Sequence, residues 1–374
     1  MTEYCERANL PIYNDSSSTL LIIDEIQVSK EIYNKIRWFD NKLGCDVIVT
    51  GSYLGGVLRE GFFQPAGNII YRKMYNISFR EFCRIFGEES RLNSISLCGT
   101  SGKMDYERIY SLYDIYLRIG GYPAVIKEYI KTKNMQNCDE VLNSLIQVFY
   151  DESKMYFTDN NESLIMQHAF EAITIEMCKS KRGSKLLDSI TKNIIDKDKK
   201  IFVTRQELYK AIDWMEESGV VGSCDLMEAT NGIPQIKAMA KIYYTDCGIA
   251  YKMLRSNKGI DDNTVKGLLA EHFVYCELQR LYPAYLVRAG ELSFASPCFM
   301  IYGDYELDFV VTSKERITYG IEVKYNNGTP KSLQTITSKK FIDKPIVVKR
   351  TQGGNTGGIL TIPIFTVGCR FPYE

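Results

Sequence analysis

The stretch LLIIDEIQ, residues 20–27, sets four aliphatic residues directly before two carboxylates. A continuous apolar run of this kind reads as a strand buried on both faces of a parallel sheet, and Asp24 and Glu25 end it. Downstream, KEIYNKIRWF (30–39) places Ile32, Ile36 and Phe39 at helical spacing. CDVIVTGS (45–52) then reads as a second buried strand closing in a polar turn. Strand, helix, strand is the beginning of an α/β core.

The rest of the composition sets wide bounds. A chain of 374 residues has room for two or three domains with their own cores. Hydrophobic content of 45% and charged content of 25% are those of an ordinary globular protein. Lys+Arg and Asp+Glu both total 46, which argues against a nucleic-acid coat protein while leaving room for a local basic face. The 11 cysteines are scattered singly with no CxxC pair, a spacing that reads as buried free thiols rather than a disulfide framework or a zinc site. His168 and His272 are the only histidines, too few for a histidine-rich metal centre. No signal-peptide pattern opens the chain and no apolar run reaches the length of a membrane span. The expectation is a cytoplasmic chain without a membrane partner.

Beyond residue 75 the strand alternation stops. DYERIYSLYDIYLRIGG (105–121), CDEVLNSLIQVFYDESKMYF (138–157) and IMQHAFEAITIEMCK (165–179) read as helices, with GGYP (120–123) breaking the chain between the first two. Residues 203–245 read as a winged-helix unit: TRQELYKAIDWMEESG (204–219) is the helix, and two strands flank an Asn231-Gly232 turn. From about 257 a helix, KGLLAEHFVYCELQRLY (266–282), precedes strands at SPCFMIYG, YELDFVVTS, RITYGIEVKY and KPIVVK, with a helix at 331–341 and a last strand at 359–365. The expected domains are therefore 1–75, an α/β core; 76–200, helical; 201–256, winged-helix-like; and 257–374, a C-terminal α/β domain.

Two constellations carry chemistry. An apolar strand ending in Asp-Glu is how a P-loop ATPase holds Mg²⁺ and orients its hydrolytic water. Asp24 would take the first role, Glu25 the second, and Ser52, at the end of the neighbouring strand, that of a γ-phosphate sensor. The phosphate cradle GxxxxGK[ST] is not in the chain, and the 23 residues before Asp24 are too few to hold it. ATP is then an ancestral cofactor only. The chain is expected to be N-terminally truncated, or its true start to lie upstream, and not to hydrolyse ATP alone. The second constellation is Glu271 on a helix, Asp308 in one strand and Glu322-x-Lys324 in the next. Strand side chains alternate, so Glu322 and Lys324 share a face that Asp308 can join. Carboxylates hold Mg²⁺ and a lysine positions water or steadies developing charge, the needs of phosphodiester cleavage. The competing reading is a solvated strand face with cross-strand ion pairs.

LLIIDEIQ, VIVTGS, NISFREF (76–82), GGYPAVI (120–126), KIYYTDCGIA (241–250), LLAEHFVYCEL (268–278), ELDFVV (306–311) and IEVKY (321–325) resemble, in order, the prokaryotic AAA-type ATPases that carry a C-terminal domain of unknown function with a PD-(D/E)xK, restriction-endonuclease-like fold. The resemblance implies a partial P-loop ATPase core, a helical and winged-helix middle, and a nuclease-like α/β domain. It also implies a Walker B pair at Asp24 and Glu25, a sensor at Ser52, and nuclease positions at Glu271, Asp308, Glu322 and Lys324. Gly67-Asn68 stands where such proteins tend to carry Gly-Arg, which fits a degraded nucleotide site. Two functional expectations follow. One is Mg²⁺-dependent cleavage or binding of DNA or RNA. The other is a non-enzymatic module for a protein partner or self-association.

Overall fold

The computed structural model describes residues 13–51, 67, 69–70, 72–178, 186–230, 232, 234–235, 241–257, 259–281, 297–313, 315–325 and 328–370. The chain divides into two compact units, Met1–Arg72 with Asp213–Gly219 and Lys73–Ile212 with Val220–Glu374.

In the first unit β1 (Leu20–Ile23) and β2 (Asp46–Val49) pair in parallel, from Leu20 opposite Asp46 to Ile23 opposite Val49. Parallel neighbours need a crossover, supplied by α1 (Lys30–Tyr33) and α2 (Ile36–Lys42). The single helix expected over 30–39 is thus two. Ser29 caps the first by accepting from the Ile32 amide at 3.3 Å. Ile26, Tyr33 and Ile36 form a small buried cluster against Ile23, Phe39 and Val49. Burial of β1 on both faces is not found: Leu20 is 52% and Ile22 60% exposed, and Ile48 on β2 is 48% exposed. Alternation in and out is what a strand covered on one side only produces.

The second unit opens with helices α3 (Phe79–Ile85), α4 (Glu89–Ser94), α5 (Lys103–Ile119), α6 (Pro123–Thr132), α7 (Met135–Ser153), α8 (Asn160–Met177) and α9 (Leu186–Lys197). Then follow α10 (Arg205–Glu217), whose residues from Asp213 onward are counted with the first unit, β3 (Val221–Glu228), β4 (Pro234–Gln235), β5 (Lys241–Tyr244), α11 (Cys247–Ser256) and α12 (Asp262–Leu281). The chain continues as β6 (Cys298–Tyr302), β7 (Tyr305–Thr312), β8 (Thr318–Lys324), α13 (Lys331–Ser338), β9 (Lys344–Lys349), β10 (Gly354–Thr356), β11 (Ile359–Pro363) and α14 (Val367–Arg370).

Among the described residues its strands make one nine-stranded mixed sheet in the order β10-β11-β9-β8-β7-β6-β3-β4, with β5 paired to β3. β7 runs antiparallel to both of its neighbours, β6 and β8, whereas β8 and β9 are parallel. The helix and hairpin read as a winged helix are present, with β3 and β5 antiparallel. However, β3 also pairs in parallel with β6, so the hairpin is part of the large sheet. The chain is a mixed α/β protein, as the alternating apolar runs indicated.

Two glycines fix close approaches. A Cβ on Gly320 in β8 would stand 2.3 Å from Ile342 Cδ1 and 2.9 Å from Leu307 Cδ2, so a larger residue there would require the ends of those two side chains to shift. Gly120, after α5, has φ +73°, and a Cβ there would fall 2.0 Å from an Asp246 carboxylate oxygen.

Candidate functional site

At the end of β1, the Thr50 hydroxyl donates to Asp24 Oδ1 and the Glu25 amide donates to the same oxygen at 3.0 Å. The Ile26 amide reaches the Thr50 carbonyl at 2.9 Å. Asp24 and Thr50 therefore end neighbouring strands and touch. Glu25 adopts a left-handed conformation (φ 51°, ψ 46°) and accepts from the Gln27 amide group. Ser52, the expected sensor, and Asn68 lie outside the described residues.

The C-terminal set is built on β7, β8 and α12. Paired residues along β7 and β8 run from Thr312 opposite Thr318 to Phe309 opposite Ile321. Against β6, Cys298 faces Val310 but Met300 faces Leu307, so β7 carries one extra residue around Asp308. Leu307 and Val310 consequently both enter the buried cluster that holds Leu333 and Ile336 of α13. A bulge re-aims a side chain, and here it frees the Asp308 carboxylate to accept the Val323 amide at 2.7 Å. Burial and the neighbouring Glu271 carboxylate push Asp308 up to about 7, against the pull of Lys241, the Val323 amide and Lys324.

Glu322 is buried; one oxygen receives the Leu333 amide in the first turn of α13 at 2.9 Å, and the other receives Lys324 Nζ at 2.7 Å. Burial alone would lower Lys324. The bound Glu322, with Asp308 and Glu271 nearby, raises it instead, so it stays an ammonium. Lys324 is thus a cation ion-paired with Glu322 and in the electrostatic field of Asp308 and Glu271.

Three further residues belong to this cluster and were not singled out from sequence. Lys241, at the start of β5, has a side chain 1% exposed, with Nζ 2.7 Å from Glu306 and 3.3 Å from Glu271. Its ammonium also lies 5.1 Å from the Phe299 ring centre. The Tyr243 hydroxyl donates to the same Glu271 oxygen at 2.5 Å. The signal was present as KxY in KIYY and ExD in YELD, pairs two residues apart on strands. Of these four residues the sequence pattern singles out only Asp308. Among the described residues, the one set of three ligand-type side chains with donor atoms within 4.8 Å of one another is Cys247, His272 and Cys276. Glu271, Asp308 and Glu322 do not form such a closed set: Lys324 pairs with Glu322 and Lys241 with Glu271.

Other quoted stretches serve as structural pins. Asp246 caps α11 by accepting from the Gly248 and Ile249 amides at 2.8 and 3.2 Å. Its second oxygen takes the Gly121 amide at 2.7 Å and the Asn76 side chain at 3.1 Å. Burial drives its pKa up while these hydrogen bonds pull it down. GGYP, TDCG and the Asn of NISFREF therefore meet at one carboxylate. Glu277 of α12 pairs with Arg280 at 2.6 Å and accepts from the Phe79 amide at 3.3 Å.

Comparison with known proteins bears on two regions. Residues 2–83 match the family model of an AAA domain, and residues 110–260 match that of a domain of unknown function (DUF8612). The N-terminal region is thus similar to AAA-type domains, and neither match reaches Glu271. No curated protein and no solved structure matches the chain. Among the described residues no helix is long and apolar enough to cross a membrane.

Proposed function

We propose that the C-terminal part of the second unit is a PD-(D/E)xK-type nuclease site acting on DNA or RNA with Mg²⁺, attached to an AAA-type region that does not turn over ATP in this chain by itself. The observation that carries the reading is the bulged Asp308 beside Glu322-x-Lys324, in the order α12, β6, β7, β8, α13, β9. The donor set is all carboxylate oxygen, the chemistry Mg²⁺ selects. Asp308 and Glu322 would hold the ion, and Glu271 would support it. When bound, the ion supplies Lewis-acid polarisation of a phosphate. Lys324 keeps its positive charge and can orient a water or a phosphate oxygen. For the AAA-type region, Asp24 and Glu25 keep the strand-end arrangement of a nucleotide site, but the chain holds no GxxxxGK[ST] to cradle phosphates.

Incubating the chain with plasmid, single-stranded DNA and RNA in Mg²⁺ tests the proposal, with Glu322→Ala and Lys324→Ala alongside. Metal-dependent cleavage lost in both variants is the expected result. Absence of cleavage on every substrate, or cleavage indifferent to both changes, refutes it.

A second reading is favoured by one observation. Lys241 already ion-pairs with both Glu271 and Glu306, as a non-enzymatic scaffold for a protein partner, for self-association or for nucleic acid would require. Nucleic-acid binding with a steep salt dependence and no cleavage would select that scaffold. Binding insensitive to salt would point to protein partners.

A further inference from the structure

The single scattered cysteines of the sequence do not stay apart. Cys247 opens α11, and His272 and Cys276 sit one turn apart on α12, so HFVYC puts an imidazole and a thiol on one helix face. All three side chains are buried and their donor atoms lie within 4.8 Å of one another. Both ring nitrogens of His272 are buried without a hydrogen-bond partner. An unpaired polar group in such a place costs free energy unless something binds it.

We propose that Cys247, His272 and Cys276 form a structural Zn²⁺ site, fastening the start of α11 to the helix that carries Glu271. The donor chemistry is that of zinc: two thiolates and one imidazole nitrogen. Metal–sulfur bonds of about 2.3 Å and metal–nitrogen bonds of about 2.0 Å put tetrahedral donors roughly 3.5–3.8 Å apart. The observed separations need close by only about an ångström to reach those values, within the reach of side-chain rotation. The Tyr244 main-chain oxygen, 3.7 Å from Cys276 Sγ, offers a fourth donor. The nearby Asp246 does not, because the Gly121, Gly248 and Ile249 amides and the Asn76 side chain occupy its oxygens.

Charge balance selects the ion. Two thiolates with Zn²⁺ are neutral, whereas two thiolates with Cu⁺ leave a buried negative charge, and the neighbouring Arg280 is already paired with Glu277. Binding converts two thiols to thiolates and releases their two protons to solvent, with no change of oxidation state.

Full-length protein purified under reducing conditions from zinc-supplemented culture should carry one zinc per chain by elemental analysis. Exchange with Co²⁺ should give thiolate-to-metal charge-transfer absorption. Cys247→Ser and Cys276→Ser should each lose the bound metal, while Cys98→Ser, at an exposed cysteine outside the cluster, should keep it. Wild-type protein with neither stoichiometric zinc nor the cobalt band overturns the proposal, whatever the variants do. Retention of one zinc by a Cys247→Ser, Cys276→Ser double variant also overturns it, as does recovery of the two cysteines as a disulfide from the reduced preparation.

Discussion

Asp308→Asn separates a working carboxylate from a structural one. Folding moves this group from 3.8 to about 7. The folded chain therefore holds the proton more tightly than the unfolded chain throughout that window. Stability falls as pH rises from about 4 to about 7, and above 7 the whole penalty is present. Three pH units amount to about 4 kcal/mol at most, and because the side chain is only partly buried, solvent screening brings the expectation to about 1–2 kcal/mol. Asparagine removes the charge while its amide oxygen can still accept from Val323. The variant should therefore be more stable than wild type at pH 8, and about half as much so at pH 5.5. Thermal denaturation at the two pH values measures both differences. The same proton competes with metal. Wild-type Mg²⁺ affinity should rise roughly tenfold from pH 6 to pH 8, and the variant should lose both binding and cleavage. A less stable variant, or the same stability change at both pH values, would show that Asp308 serves the fold through Val323 and nothing else.

Lys241→Met leaves Glu271 and Glu306 without their buried ammonium. It should cost about 3–5 kcal/mol in chemical denaturation. Because Lys241 pulls Asp308 down, the pH profile of Mg²⁺ binding should also move to higher pH in this variant. Gly120→Ala should destabilise more than Gly357→Ala. Both glycines have positive φ, but only the first would set a Cβ against Asp246, while the second meets nothing within 4 Å. The left-handed cost alone is about 1–2 kcal/mol, so the difference in unfolding free energy reads the clash. Phosphate release from ATP by the purified chain should stay at background and be unchanged by Asp24→Asn. Turnover that this substitution abolishes would restore a working nucleotide site.

What the sequence disclosed follows from what periodicity can encode. Strands β6 to β9 and β11 were legible because buried strands are short apolar runs between polar turns, and IEVK put Glu322 and Lys324 on one side, where they pair. The break between α1 and α2 was not legible, since Ile32, Ile36 and Phe39 keep helical spacing across it. The exposed face of β1 was not legible either, because an apolar run records what a strand could bury and not what covers it. The bulge at Asp308 leaves no local mark: it is a relation between β6 and β7. Lys241 reads as a surface lysine until β5 joins β3 and brings it to Glu306, and Cys247 reads as one more thiol until α11 meets α12.

The charge of the cluster bears on its two proposed readings more directly than its shape does. Glu271, Glu306, Asp308 and Glu322 face two ammonium groups, Lys241 and Lys324. With every group ionised, two negative charges remain. A scaffold has no use for that excess and would be served by a hydrophobic residue at position 308, since burying an acid that must compete for its own proton costs stability. A divalent cation cancels the excess and draws the proton off Asp308 as it binds. On the proposed nuclease reading Lys241 would have a different part from the one a scaffold gives it: by holding Glu271 and Glu306 it would limit repulsion in the unliganded cluster and leave Asp308 as the carboxylate whose protonation would answer to a metal.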